Sequence, residues 1–86
     1  MKEITLVINS TNGLHARPAT ELVNKANIFK SDITITKNGN QGNAKSIISV
    51  MTLAIGPGEV FQIKAEGPDE NEAIEDLEDL LVKLED

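Results

Sequence analysis

The stretch "DITITKNGNQGNA", residues 32–44, decides the fold. Its first half alternates, with Ile33 and Ile35 on one face and Thr34 and Thr36 on the other. A period of two is the mark of a strand with one buried face. Asn38-Gly39 then gives the strongest short hairpin signal, because both residues accept the positive φ of a tight two-residue turn. A short partner strand should run through "QGNA", residues 41–44. An antiparallel sheet is implied, and the flanking segments must complete and cover it.

Upstream, "EITLVIN" (residues 3–9) sets Ile4, Leu6 and Ile8 against Glu3, Thr5 and Asn9, with Val7 the one apolar residue on the outer face. "NSTNG" (9–13) is turn chemistry and ends that strand. Ala16, Ala19, Leu22, Val23, Ala26 and Phe29 recur at helical spacing, which predicts an amphipathic helix over 16–28. Downstream, Ser46 holds the N-cap position of a short helix expected to bury Ile47, Val50, Met51 and Ala54. "IGPGE" (55–59) breaks it, and "VFQIKAE" (60–66) is a final strand with Phe61, Ile63 and Ala65 inward. Asp69 and Glu72 have capping-box spacing. After them Ala73, Ile74, Leu77, Leu80, Leu81 and Leu84 form the stripe of the longest helix. The order β-α-β-β-α-β-α predicts an α+β fold. Its form is an open-faced two-layer β-sandwich, a four-stranded antiparallel sheet with three helices on one face.

Eighty-six residues fit one domain, 1–86, with a single modest core. Phe29 and Phe61 are the only aromatics, which argues against stacking platforms and so against nucleic-acid binding. Without cysteine there is no disulfide framework, thiolate zinc site or thiol nucleophile, as suits a cytoplasmic protein. The first ten residues lack a secretory apolar region, and no apolar run approaches membrane-spanning length, so no membrane insertion is expected. Charge is uneven. Residues 1–48 carry six cations against three anions, and residues 49–86 two cations against eleven anions. The acidic half reads as the wet face of the last helix, and the basic half as a working surface.

The only histidine lies in "GLHARPAT", residues 13–20, just before the first helical position. Pro18 is harmless in a first helical turn, where amides have no intrahelical partner. The amides of Ala16 and Arg17 point out of that helix start, and with the helix dipole they favour an anion. Arg17 adds a planar cation suited to phosphate. His15 is thus equipped to carry a phosphoryl group, since imidazole is nucleophilic near neutral pH, its ordinary pKa being roughly 6.5. An ordinary cap or surface histidine is the plainer reading of position alone. A zinc site lacks a second His or any Cys, no spacing matches a calcium loop, and a hydrolytic triad has no support in spacing. Neither metal nor cofactor is expected.

"GLHARPAT", "NAKSI" (43–47) and "GPDENEAIEDL" (67–77) together resemble HPr, the family of histidine-containing phosphocarriers of the bacterial phosphoenolpyruvate:sugar phosphotransferase system. The resemblance runs along essentially the whole chain and is of the Gram-positive type, with a regulatory serine. It implies that His15 accepts phosphate on Nδ1 from phosphorylated enzyme I and passes it to IIA domains of sugar permeases. Arg17 would stabilise the phosphohistidine, with Ala16 and Pro18 completing the helix-start phosphate site. Ser46 would be the target of an HPr kinase/phosphorylase, its phosphate favouring a catabolite-control repressor. Leu14, Thr20, Lys45, Ile47, Ile48 and Met51 fall where the family docks its partners. The family implies a cytoplasmic monomer that is a covalent intermediate and no free-standing enzyme. This chain reads "KSIIS" at 45–49 where such relatives usually read "KSIMG", so a stiffer Ile48 stands for an adaptable methionine. A regulatory paralogue acting mainly as a Ser46-phosphorylated corepressor is the alternative that the resemblance allows.

Overall fold

The chain runs β1 (Lys2–Val7), α1 (Ala16–Ala26), β2 (Asp32–Lys37), β3 (Asn40–Asn43), α2 (Ile47–Thr52), β4 (Val60–Glu66) and α3 (Glu70–Val82). The structure, a computed structural model, describes residues 1–8 and 10–83. Asn9 and Leu84, assigned above to the outer face of the first strand and to the last apolar stripe, lie outside the described residues.

Asn38 and Gly39 both take positive φ, 51° and 82°, and the β2–β3 ladder closes directly on them at Lys37 and Asn40. The hairpin is the one that the dipeptide predicts. The four strands stand in the order β1-β4-β2-β3, each pair antiparallel. β1 and β2 therefore flank β4 and run parallel to one another, as β3 and β4 do about β2. Parallel strands need a crossover, and α1 and α2 supply the two. α3 packs back over β1, β4 and α1. The result is the open four-stranded sheet with three helices that the residue pattern implies.

One sheet face and the helices enclose the core. Ile35, Phe61 and Ile63 face Leu22, Val50, Ile74 and Leu77, all buried. Each such side chain contributes roughly 1.5–3 kcal/mol by leaving water. The other face is mostly polar, pairing Thr34 with Lys64 and Thr36 with Gln62, with an exposed Val7–Val60 pair at one end of β1 and β4.

Three expectations about the helices are corrected. α1 stops at Ala26 rather than 28, because its last turn tightens. The Ile28 amide donates to the Lys25 carbonyl and the Phe29 amide to the Ala26 carbonyl, three residues back. That turn sends Phe29 into the core and leaves Ile28 exposed. In α2 only Val50 is buried, while Ile47 and Met51 stay partly exposed. Ala54 leaves the helix with φ +51°, so the stripe cannot extend to it. Nor does Asp69 form a capping box. Its backbone (φ −114°, ψ 27°) is not extended as a capping residue's is, and its carboxylate makes no cap bond. It accepts instead from the amides of Lys30 (2.8 Å) and Ser31 (2.9 Å) and from the Ser31 hydroxyl (2.5 Å).

Candidate functional site: the start of helix α1

His15 is the N-cap of α1. Its backbone is extended (φ −78°, ψ −173°), and its carbonyl accepts the Ala19 amide at 3.0 Å, the first bond of the helix. Pro18 contributes no amide, and those of Ala16 and Arg17 precede any intrahelical acceptor. No acidic side chain stands in the first turn, so the positive end of the helix is uncompensated by its own residues. The imidazole makes no cap hydrogen bond, leaving its ring nitrogens out of the helix's own bonding.

The preceding loop fixes where that imidazole stands. Gly13 has φ +68°, and a Cβ there would lie 2.6 Å from the Ile55 carbonyl oxygen and 2.8 Å from Gly56 Cα. Only glycine fits both the conformation and the space. The Leu14 amide donates to that same Ile55 carbonyl at 2.8 Å. Leu14 itself is 4% exposed and packs in the core, which corrects its assignment to a docking surface. A buried residue on each side, Leu14 before and Pro18 after, anchors the half-buried histidine between them.

His15, Arg17 and Pro18 line an open cleft of about 700 Å³. α1 adds Glu21 and Lys25, and α3 with its C-cap Lys83 supplies the facing wall of Asp76, Asp79, Leu80 and Lys83. Lys83 is paired with Asp79 at 3.0 Å. Arg17 is exposed and enters no ion pair among the described residues. A bound anion would therefore meet a cation that no carboxylate among the described residues has engaged. Among the described residues no group of three or more His, Cys, Asp or Glu is arranged to hold a metal ion.

The second predicted site lies at the start of α2, outside that cleft. Ser46 is its N-cap, and the serine hydroxyl accepts the Ser49 amide at 3.3 Å. Ile48 is 76% exposed beside the partly covered Ile47 and Met51, so these three form an accessible apolar patch. Lys45 turns its ammonium inward to the Phe29 carbonyl at 2.7 Å. Thr20 is exposed, with its hydroxyl donated to the Ala16 carbonyl at 2.7 Å.

Sequence reasoning missed the α3 wall and the part played by residues 55 and 56. Asp76, Asp79 and Lys83 do carry a readable signal, since their spacing places them on one side of a helix. Which surface they face depends on how α3 packs, and no local pattern encodes that.

The family model for the PTS HPr component phosphorylation site matches residues 2–83. The chain is 44% identical over 84 residues to the phosphocarrier protein HPr of Vibrio cholerae, covering 98% of this chain and 99% of that one. Among solved structures, HPr-C-His from Thermoanaerobacter tengcongensis superposes with a TM-score of 0.93 at 46% identity, over 95% of this chain and 92% of that one. The catabolite repression protein Crh of Bacillus subtilis, a swapped dimer, reaches 0.77 at 38% identity, over 96% of this chain and 95% of that one. Among the described residues no helix is long and apolar enough to cross a membrane. The likeness in sequence and in fold runs along nearly the whole chain, which belongs to the HPr family of phosphocarriers of the phosphotransferase system.

Proposed function

We propose that His15 is the phosphorylated residue. It takes the phosphoryl group on Nδ1 from phosphorylated enzyme I and delivers it to IIA domains of sugar permeases. One observation carries this reading: the imidazole begins a helix without capping it, beside an Arg17 that no carboxylate engages among the described residues. In the transfer, a bond forms between imidazole nitrogen and phosphorus while the donor's bond to phosphorus breaks, and the electron pair returns to the donor. Such transfers need positioning and charge stabilisation more than covalent machinery. The Ala16 and Arg17 amides, the helix dipole and the guanidinium supply the charge stabilisation. The protein is then a covalent intermediate, and a monomer suits a shuttle.

Docking falls to Ile47, Ile48 and Met51, a small apolar patch suited to brief encounters. Ser46 is the regulatory site for an HPr kinase/phosphorylase. A phosphate there adds roughly −1.5 to −2 charge beside the patch. It would slow docking and offer the group that a catabolite-control repressor recognises.

Phosphoenolpyruvate with enzyme I should label one site, with an acid-labile and alkali-stable bond. His15→Ala should abolish the label. Acid-stable label at Ser46 alone would overturn the reading. The likeness to Crh favours a second reading, a corepressor acting through phosphorylated Ser46. That role leaves His15 without work, and comparing repressor affinity with and without the Ser46 phosphate separates the two.

A further inference from the structure

Lys37 and Glu59 lie outside the surface described so far, yet both reach the loop that supports it. Lys37 ends β2, and its side chain is only 15% exposed. Its ammonium donates to Glu59 Oε1 at 2.9 Å and to the Ala54 carbonyl at 2.7 Å. The same Oε1 accepts the Gly56 amide at 2.5 Å. Two side chains thus hold both flanks of Ile55. Ala54 on one flank has φ +51°, a left-handed conformation that costs an alanine energy and would relax if released.

The Gly56 N–H and the Ile55 C=O belong to one peptide group. Glu59 binds its N–H end, and its C=O end accepts the Leu14 amide at 2.8 Å. A planar peptide cannot turn one end without the other. The carboxylate of Glu59 therefore sets the direction of the acceptor that holds Leu14, and His15 is the next residue. The Gly56 amide foremost, with the Lys37 ammonium, lowers the pKa of Glu59, which keeps it charged and accepting near neutral pH.

We infer that Lys37 and Glu59 are positioning residues for the phosphoacceptor, fixing the Ile55–Gly56 peptide and through the Leu14 amide the stance of His15. The inference rests on His15 being the phosphorylated residue. An ion pair that serves stability alone would tolerate exchange of its charges. A positioning clip would not, because a lysine at position 59 cannot accept the Gly56 amide.

The test measures kcat and KM of enzyme I with phosphoenolpyruvate and this protein as the varied substrate. Beside it, hydrogen exchange of the Leu14 amide is read relative to the core amide of Ile63. Glu59→Ala and the exchanged pair Lys37→Glu/Glu59→Lys should lower kcat about tenfold, with KM within about twofold of the parent. In both variants the Leu14 amide should exchange about tenfold faster relative to Ile63. Glu59→Gln keeps a carbonyl acceptor and should retain kcat within about threefold, which also guards against a poorly folded alanine variant. Restoration of kcat by the exchanged pair, or a loss confined to KM, would overturn the inference. So would a Leu14 amide that exchanges in Glu59→Ala as it does in the parent. If the parent protein takes no label, the phosphocarrier reading has failed, and the Leu14 amide still decides whether the clip exists.

Discussion

The starts of α1 and α2 share a plan and differ in what the first side chain does. Each N-cap residue is extended, and each carbonyl accepts an amide four residues on, Ala19 for His15 and Val50 for Ser46. The Ser46 hydroxyl then accepts the Ser49 amide, whereas the His15 imidazole caps nothing. A group engaged in holding its helix can be modified only by giving up that bond or replacing it. A group that stands free of its helix is available for repeated, reversible chemistry. α1 can leave its cap side chain idle because Gly13, Leu14 and Pro18 hold its start from both sides.

The contrast breaks most severely at Gly13. Gly13→Ala forces a Cβ to within 2.6 Å of the Ile55 carbonyl oxygen at a positive φ. Urea denaturation should show a loss of roughly 2–3 kcal/mol. Labelling by enzyme I should slow more than about tenfold, because His15 shifts with the loop. A variant that labels at the parent rate would show that α1's start is not held by this loop.

A smaller effect sharpens the same contrast. Ser46→Ala should cost about 1 kcal/mol by removing a cap. His15→Ala should change stability by less than about 0.5 kcal/mol while removing all transfer, since no cap bond is lost. Equal losses in urea midpoint for the two variants would erase the distinction. Ser46→Asp preserves a capping oxygen and should hold stability within about 0.5 kcal/mol of the parent. Its added charge beside Ile47 and Ile48 should raise KM for enzyme I while His15 still takes the label.

What the sequence alone discloses divides along the same line, between local and distant partners. Ile33 and Ile35, the Asn38-Gly39 turn and the Phe61-Ile63-Ala65 alternation are local, periodic signals, and they fix strands, hairpin and layer order. The N-cap places of His15 and Ser46 were legible for the same reason, because a cap is read from its immediate neighbours. What each cap side chain does was legible only for Ser46, whose partner is three residues away. Leu14 was misplaced because its apolar contact is with a core assembled from distant segments. The Ile55–Gly56 peptide that seats it is about forty residues downstream, and its Lys37–Glu59 clip joins two further elements. Ala54's left-handed turn shortened α2 against its own apolar pattern, and no Asn or Gly announced it.

The third helix start extends the comparison and carries the smallest effect, one confined to acid. Asp69 has capping chemistry, yet its oxygens bind the Ser31 hydroxyl and the Lys30 and Ser31 amides, tying α3's start to the entry of β2. Those donors, the Ser31 hydroxyl foremost, lower its pKa from 3.8 to about 2. A carboxylate whose folded pKa is depressed contributes stability that is fully present above its unfolded value and is lost as pH falls through the folded one. For Asp69 that window runs from 3.8 down to about 2. Asp69→Asn cannot titrate, so its urea midpoint should decline less steeply than the parent's across the same window. Glu59 and Glu70, also lowered by hydrogen bonds, keep titrating in both proteins and set the remaining slope. Matching slopes would mean that Asp69 is not held by its three donors. The start of α3 would then resemble that of α1, a helix whose first side chain is unengaged. A shallower slope instead makes it the converse of α2, a capping residue whose side chain is bound to another segment of the chain.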